Sequence, residues 1–245
     1  MIKKNSQPSI SVSLSPALLN LYDVSSSIVV IIDVLRATST IAAALFNGAK
    51  SIIPVESVAE CIKLGKQMEV ITAGERDGKI AEGLKYGNSP LQYTSDFIKG
   101  KTLVLTTTNG TKLLHMALTE GALRILTASF CNIDSVCNYL VNQNKNIILA
   151  CAGWKDRVNI EDTLLAGAIV KKIKDKFYQN CDSCEIASSL YNLAGIDIFN
   201  FMREHNASHY HRLMNYGLEE DIRYSLTENN ANVLCLYDGG RLIAG

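Results

Sequence analysis

The sequence lacks the signals that identify several large classes of protein. No glycine fingerprint of the dinucleotide or nucleotide-triphosphate type is present, which weakens an oxidoreductase or kinase interpretation. No apolar stretch approaches the roughly 20 residues of a membrane span, and residues 1–5 precede no apolar signal core. Lys plus Arg equals Asp plus Glu at 24 each, so no overall field would attract nucleic acid or an acidic membrane. We therefore expect a cytoplasmic protein that binds neither nucleic acid nor membrane.

The cysteines form no disulfide framework. There are seven, an odd number, scattered mostly within apolar segments, and this predicts reduced, buried thiols. Cys181 and Cys184 are the one close pair, and a zinc site would need two more ligands from a second such pair. A redox pair is expected at a helix start after a strand, whereas this pair follows a polar helix tail. We therefore expect two thiols in a loop.

Histidine is also scarce, and its spacing argues against a zinc enzyme. The His-Glu-x-x-His pattern is absent, and of the three histidines near the C-terminus only His205 and His209 share one helix face. We expect His205, His209 and His211 to be surface or packing residues.

Short β-branched runs alternate with helical patterns along most of the chain. Strands are predicted over 10–14, 27–32, 51–55, 70–73, 102–106, 124–127 and 146–150, and helices over 39–46, 57–66, 110–118, 133–143 and 160–174. The runs at 28–32 and 147–150 are apolar almost throughout, as in parallel strands covered on both faces. The pattern predicts an α/β fold with three layers, α/β/α, around a mostly parallel sheet.

The rhythm changes to helices after about residue 178. A β-hairpin is predicted at the end, with strands over 232–237 and 241–244 joined by Asp238-Gly239-Gly240. We expect a single domain over 1–245 and leave open a division into two lobes near 178–184, since no long linker or low-complexity tract is present.

The first candidate site follows the strand over 27–32. Asp33 ends that strand, where a carboxylate is a suitable magnesium ligand but also a common helix N-cap. Arg36 can direct two N–H groups to a phosphate or carboxylate, or can form a salt bridge with Asp33. Thr38 and Ser39 supply hydroxyls at the helix start, where N–H groups and the dipole favour an anion.

Two further turns carry similar chemistry. Thr107, Thr108, Asn109 and Gly110 follow the strand over 102–106, and the glycine allows close approach of the backbone to an anion. The segment 74–78 contains Glu75 and Arg76, which could provide a metal ligand or base and a second anion contact, although an isolated charged turn is the more frequent case.

The helix over 160–174 begins with two acidic residues. With Asn159 as N-cap, Asp162 falls at the third helical position and would close a capping box. Because adjacent helical residues point about 100° apart, Glu161 and Asp162 cannot share one face. One of them is expected to cap while the other reaches a metal, and the sequence leaves the choice open.

Cys151 and Arg157 have the Cys-x5-Arg spacing of cysteine phosphatases, whose thiolate attacks phosphorus within a loop of backbone N–H groups. Trp154 fills the usual glycine position, and Asp156 would place a carboxylate in the anion site. A buried thiol at a strand end is therefore the preferred interpretation.

Taken together, these segments resemble the 2-phosphosulfolactate phosphatase family of magnesium-dependent phosphatases. The matching segments, in order, are 33–40, 74–76, 87–90, 107–111, 151–153, 161–162 with 166–167, and 216–222. The resemblance implies hydrolysis of 2-phosphosulfolactate to sulfolactate and phosphate, which in archaea belongs to coenzyme M biosynthesis. A related phosphorylated hydroxy acid remains an alternative substrate.

The resemblance and the residue chemistry together give a candidate site. Residues expected to act in catalysis are Asp33, Arg36, Glu75 and Arg76, those expected to contact substrate are Thr38, Ser39, Ser89, Thr107, Thr108, Asn109 and Gly110, and those expected to bind Mg²⁺ are Asp33, Glu161 and Asp162. Glu75 is an alternative metal ligand, and direct attack by water and a phospho-enzyme both remain open. A cysteine phosphatase using Cys151 and Arg157, and a non-catalytic anion-binding protein, are the alternative functions. We expect a homo-oligomer, as is common for compact α/β enzymes.

Overall fold

The structure is a computed structural model that describes residues 7–76 and 78–245. Residues 1–6, including the start examined for a signal, and Asp77 of the predicted charged turn lie outside the described residues. Within the described ranges the strands are β1 (Ser9–Ser13), β2 (Ser27–Ile32), β3 (Ser51–Val55), β4 (Ile71–Arg76), β5 (Lys79–Ile80), β6 (Thr102–Thr106), β7 (Arg124–Ala128), β8 (Asn146–Cys151), β9 (Tyr178–Gln179), β10 (Cys235–Asp238) and β11 (Arg241–Ala244).

The α-helices connect these strands and then dominate the C-terminal third. In chain order the helices of the described residues are α1 (Ala37–Phe46), α2 (Val58–Met68), α3 (Ser95–Ile98), α4 (Gly110–Thr119), α5 (Ile133–Val141), α6 (Ile160–Ile173), α7 (Asp182–Ala194), α8 (Ile198–Glu204), α9 (Ser208–Asn215) and α10 (Glu219–Leu226). None of them is both long enough and apolar enough to cross a membrane.

Helices cover both faces of the sheet, which confirms the predicted three-layer α/β fold. Side chains on β2 alternate between two cores: Val30 packs with residues of α5, α6 and α7, while Val29 packs with residues of α4. All six residues of β2 are buried, as its continuous apolar run predicts. The sheet core therefore supports the turn that follows β2 from both sides.

The sheet consists of two mostly parallel halves joined by the C-terminal hairpin. In the described residues its order is β5-β4-β6-β3-β11-β10-β7-β2-β8-β1-β9. The hairpin of β10 and β11 is confirmed, and it pairs antiparallel with β7 on one side and with β3 on the other. Three successive antiparallel pairings give the two halves opposite senses.

The sheet must bend at this junction. In a flat sheet, halves of opposite sense would place their carboxyl ends at opposite edges. Instead the turns after β2 and β4 are in contact, since Arg36 Nη2 donates to the carbonyl oxygen of Gly78 at 2.8 Å. The bend thus brings polar turns from both halves to one place, and the C-terminal helices reach the same place through Asp221 of α10.

The Cys181–Cys184 segment differs from the prediction of two thiols in a loop. Cys181 is the N-cap residue of α7 and comes two residues after β9, and Cys184 lies within α7. The polar tail at 174–176 is a short 3-10 helix, and β9 lies between it and Cys181 and extends the sheet by pairing with β1. The pair therefore occupies the strand-to-helix position that the sequence interpretation excluded.

Candidate active site

Asp33 lies at the carboxyl end of β2 and lines a cleft between the two halves of the sheet. Its side chain is only 7% exposed. The pKa of Asp33 is raised to about 7, chiefly by burial and also by the neighbouring carboxylates of Glu75 and Glu161, whereas His209 and the backbone N–H of Gly110 act to lower it. An unshielded acid in this position favours a proton or a cation beside it.

Two predicted substrate-binding hydroxyls instead hold the turn in shape. Thr38 Oγ1 donates to the carbonyl oxygen of Asp33 at 2.9 Å, and Ser39 Oγ donates to that of Val34 at 2.8 Å. Both side chains are buried, and neither residue lines the cleft. Asp33 does not act as a side-chain N-cap, since α1 begins after Arg36. These bonds fix the Asp33 backbone in place.

Glu75 joins the turn after β4 to the turn after β6. Its Oε1 accepts hydrogen bonds from the N–H and the hydroxyl of Thr108, at 3.0 and 2.8 Å. Its Oε2 accepts from the N–H of Gly78 at 2.9 Å. Glu75, Thr108 and Asn109 all line the cleft with Asp33, so the structure brings these four predicted residues together.

Gly110 approaches Asp33 closely. A Cβ atom added at Gly110 would lie 3.1 Å from Asp33 Oδ2, so this position has little room for a side chain. Thr107 Oγ1 accepts from the N–H of Thr111 at 3.3 Å, which supports the start of α4. Thr107 faces an adjacent depression that also contains Arg76, whose Nη2 donates to Thr106 Oγ1 at 3.0 Å. Arg76 and Thr107 thus border the cleft without lining it.

Arg36 lines the cleft but its guanidinium is already engaged. Nη1 forms a buried salt bridge of 2.9 Å with Asp221 Oδ2, and Nη2 donates to Gly78. Ser89 Oγ donates to the other oxygen of Asp221 at 2.6 Å. The expected partner of Arg36 was Asp33 or an anion, and the observed partner is a residue of α10. Ser89 does not line the cleft, and it supports Arg36 through their shared partner Asp221.

The two acidic residues of α6 have separate partners. Asp162 accepts the N–H of Val34 and the N–H of Gly153, each at 2.9 Å, and so connects the turns after β2 and β8. No capping box forms at Asn159, because the Asp162 side chain is directed to these two turns. Burial and the nearby carboxylates of Glu161 and Asp33 raise the pKa of Asp162. Of the two acidic residues, Asp162 is therefore the one whose carboxylate accepts hydrogen bonds from backbone N–H groups.

Glu161 pairs with His209 of α9. Its Oε1 lies 2.6 Å from His209 Nδ1, and its side chain is 1% exposed. His209 is buried, as a packing residue would be, but the expectation missed that it also lines the cleft, over which α9 packs. One pattern in the sequence could have identified His209 as a site residue: His209 and Arg212 are three residues apart and share a helix face.

Three more residues that the sequence interpretation missed line the cleft. They are Asn88, Trp154 and Arg212. The guanidinium of Arg212 stacks over the Trp154 ring at 4.3 Å from its centroid. Asn88 is 4% exposed, and its Oδ1 has no hydrogen-bond partner among the described residues. A buried acceptor of this kind requires a donor from a ligand or water.

Cys151 lies outside the cleft. Its thiol is in the core against α6, and burial raises its pKa well above the ordinary value. Arg157 is exposed, and a Cβ at Gly153 would overlap the Arg157 carbonyl group, so this loop forms a tight backbone turn. The arrangement disfavours a cysteine phosphatase, because the thiolate would be neither stabilised nor accessible.

The cleft offers few preformed metal ligands. In residues 7–76 and 78–245, no three His, Cys, Asp or Glu side chains converge as they would to enclose a metal ion. Magnesium does not need such a cage, since it commonly binds through one or two carboxylates together with water and substrate phosphate. Asp33 and Glu161 are oxygen donors of the appropriate type, and their mutual repulsion is the kind that a cation relieves.

The fold and the cleft define an α/β protein with a carboxylate-containing ligand site at the carboxyl ends of its strands. The model of the 2-phosphosulpholactate phosphatase family matches residues 13–240 of the chain. The chain therefore belongs to this family of phosphatases.

Relatives with the same family name are similar over most of their length. A probable 2-phosphosulfolactate phosphatase of Thermotoga petrophila is 41% identical over 200 residues, which are 82% of this chain and 84% of that protein. One of Caldanaerobacter subterraneus subsp. tengcongensis is 36% identical over 216 residues, or 86% and 88% of the two chains. One of Clostridium perfringens is 36% identical over 222 residues, or 88% and 87%.

Proposed function

We propose that this protein hydrolyses 2-phosphosulfolactate to sulfolactate and phosphate with the help of Mg²⁺. The family match over residues 13–240 supports the reaction class. The observation that carries the proposal within the structure is one cleft that holds the carboxylates of Asp33 and Glu75, the hydroxyl of Thr108 and a stacked arginine. Such a cleft suits a substrate with several negative charges and a cation to balance them.

We propose that Asp33 and Glu161 hold the metal, with Glu75 near them. Burial and the nearby carboxylates of Glu75 and Glu161 raise the pKa of Asp33, and a cation beside Asp33 would favour its charged form. Glu161 Oε2 makes no hydrogen bond within the described part of the chain. Asp162 remains a predicted ligand, although each of its oxygens already accepts one backbone N–H. A bound Mg²⁺ would offset phosphate charge in this position.

The chain's own residues then position the phosphate. Thr108 and Asn109 present polar groups at the start of α4, where backbone N–H groups favour an anion. Glu75 holds Thr108 by two hydrogen bonds, so the position of this turn depends on Glu75. The unpartnered Asn88 Oδ1 is available to accept a hydrogen bond from a substrate hydroxyl or a bound water. Arg36 has further N–H groups beyond the two in use, and these remain candidates for phosphate contact.

We assign the second anionic group of the substrate to Arg212. Both terminal nitrogens of Arg36 already donate to protein acceptors, whereas Arg212 makes no hydrogen bond within the described part of the chain. Stacking on Trp154 fixes the plane of the Arg212 guanidinium and leaves its edge free for a sulfonate or carboxylate. The geometry favours a substrate that carries another anion besides phosphate.

Phosphate release from a substrate series tests the proposal. 2-Phosphosulfolactate, phospholactate and phosphoglycerate are compared, each with Mg²⁺ and with excess chelator. We expect Mg²⁺-dependent release that is fastest from the sulfonated substrate. Chelator-resistant release that thiol alkylation abolishes would instead identify a cysteine enzyme, and tight binding without release would identify an anion-binding protein.

Arg212→Met tests the second-anion assignment, with Lys155→Met as the matched control. Lys155 also stacks on Trp154, at 4.5 Å, but it does not line the cleft. We expect Arg212→Met to raise KM for phosphosulfolactate at least 10-fold, about 1.4 kcal/mol, and to reduce the preference over phospholactate, which keeps only the carboxylate. Equal effects of the two substitutions would contradict the assignment.

Four broader expectations complete the proposal. We place the protein in the cytoplasm as a homo-oligomer and a single domain, and we assign its product to coenzyme M biosynthesis. Fractionation, light scattering and limited proteolysis test the first three. Loss of coenzyme M on disruption of the gene tests the fourth.

A further inference from the structure

A second cluster of reactive side chains lies outside the cleft, on the far edge of the sheet near β9. Cys181 is the N-cap residue of the 13-residue helix α7, and Cys184 is three residues further on. Their sulfur atoms are 3.7 Å apart, which is van der Waals contact between two free thiols. Neither residue lines the cleft that contains Asp33.

The two thiols have different surroundings. The Sγ of Cys181 is half-buried and accepts the N–H of Val12 at 3.4 Å, and it also lies at the positive end of the α7 dipole. The Sγ of Cys184 is fully buried and lies 3.4 Å from the Ile10 carbonyl oxygen and 3.7 Å from Cys181 Sγ, so its single S–H can donate to either. The contact with Cys184 is the main cause that lowers the pKa of Cys181 to about 5, and the same contact together with burial raises the pKa of Cys184.

No other cysteine of the described chain has this combination. The remaining five are buried, and burial raises the pKa of each; they are Cys61, Cys131, Cys137, Cys151 and Cys235. Nucleophilic attack requires a thiolate that is accessible to its target. Cys181 is therefore the one cysteine placed to react, and Cys184 is the one placed to resolve the product.

We propose that Cys181 and Cys184 form a dithiol–disulfide exchange site that takes a low-molecular-weight disulfide, such as oxidised glutathione, as its oxidant. The Cys181 thiolate attacks one sulfur of the oxidant, which forms a mixed disulfide and releases one thiolate. Cys184 then loses its proton to water and attacks Cys181 Sγ, which releases the second thiolate. The protein loses two electrons and two protons to give an intramolecular disulfide, and the oxidant becomes two thiols.

The test treats the complete reduced protein with oxidised glutathione and maps the products by mass spectrometry. We expect a disulfide between Cys181 and Cys184 that dithiothreitol reverses, with the other five cysteines unmodified. Cys184→Ser should accumulate the mixed disulfide at Cys181, and Cys181→Ser should leave residue 184 unmodified. Cys151→Ser is the matched control and should react as the parent protein does.

The rate of alkylation by iodoacetamide gives a second measurement that needs no variant. We expect Cys181 to be alkylated first in the folded protein, with a rate that rises through a midpoint near pH 5. Alkylation of Cys181 no faster than that of the buried cysteines, or oxidation that yields pairs other than 181–184, would overturn the proposal.

Discussion

The salt bridge between Arg36 and Asp221 gives the sharpest test of how the cleft is held together. The two side chains are 6% and 5% exposed, and their atoms Nη1 and Oδ2 are 2.9 Å apart. Asp221→Ala removes the acceptor for Arg36 and for Ser89 Oγ but leaves the guanidinium buried. Breaking a buried pair from one side costs about 3–5 kcal/mol, because an uncompensated charge remains.

The expected loss is large compared with the stability of a typical domain, about 5–15 kcal/mol. With an m-value near 2 kcal/mol/M in urea, the unfolding midpoint of Asp221→Ala should fall by about 1.5–2.5 M. Circular dichroism during urea unfolding measures this shift. Ser89→Ala, which removes one hydrogen bond to the same carboxylate, should cost only about 1.5–3 kcal/mol.

A double substitution separates the charge from the packing. Arg36→Met combined with Asp221→Leu removes both ions and keeps apolar volume, and such replacements of buried pairs are often neutral or stabilising. We expect this variant to be more stable than Asp221→Ala alone. A loss below about 1 kcal/mol for Asp221→Ala, or an equal loss for the double variant, would refute the argument that a buried unpaired arginine sets the cost.

Three further predictions follow from burial. Cys151→Ser should retain most phosphatase activity, measured as phosphate release, because the thiol lies in the core. A folded but inactive variant would instead support a cysteine-dependent phosphatase. Gly167→Ala should destabilise the protein by about 1–3 kcal/mol, measured by urea unfolding, because the new Cβ would overlap the Ala187 carbonyl group where α6 meets α7. A neutral result would mean that the two helices can move apart without cost. In chelator, the free energy of unfolding should fall as the pH rises from about 4 to about 7, by at most roughly 1.4 kcal/mol per pH unit. The reason is that folded Asp33 retains its proton in this range, whereas an unfolded Asp does not. Asp33→Asn should flatten this dependence of stability on pH, and an unchanged slope would contradict the pKa assignment.

Local sequence patterns were sufficient to predict most elements of the fold. The strand predictions at 27–32, 51–55 and 102–106 coincide with β2, β3 and β6, because each is an apolar run that ends in polar turn residues. The same logic placed Asp33 and Thr108 in turns after strands, whereas Glu75, predicted in a turn, lies within β4. The hairpin was predicted from its Gly-Gly turn, although its two strands pair with opposite halves of the sheet.

Tertiary structure determined which of the polar residues share the cleft. Thr38 and Ser39 have the same residue types as Thr108, yet their hydroxyls bond to the backbone of their own turn. His209 and Arg212 lie more than 170 positions after Asp33 in the sequence, so no local pattern connects them with it. They join the cleft because α9 packs over it.

The sequence by itself therefore determined the strands, the helices, the three-layer class and the strand-end turns that carry the acids. These depend on interactions between residues close in the chain. Only the tertiary structure decided that Asp221 pairs with Arg36, that Glu161 pairs with His209 and that Cys181 begins a helix. The physical reason is that such pairs depend on how the sheet bends at the hairpin and where the last helices pack, and these are sums of many contacts between residues distant in the chain.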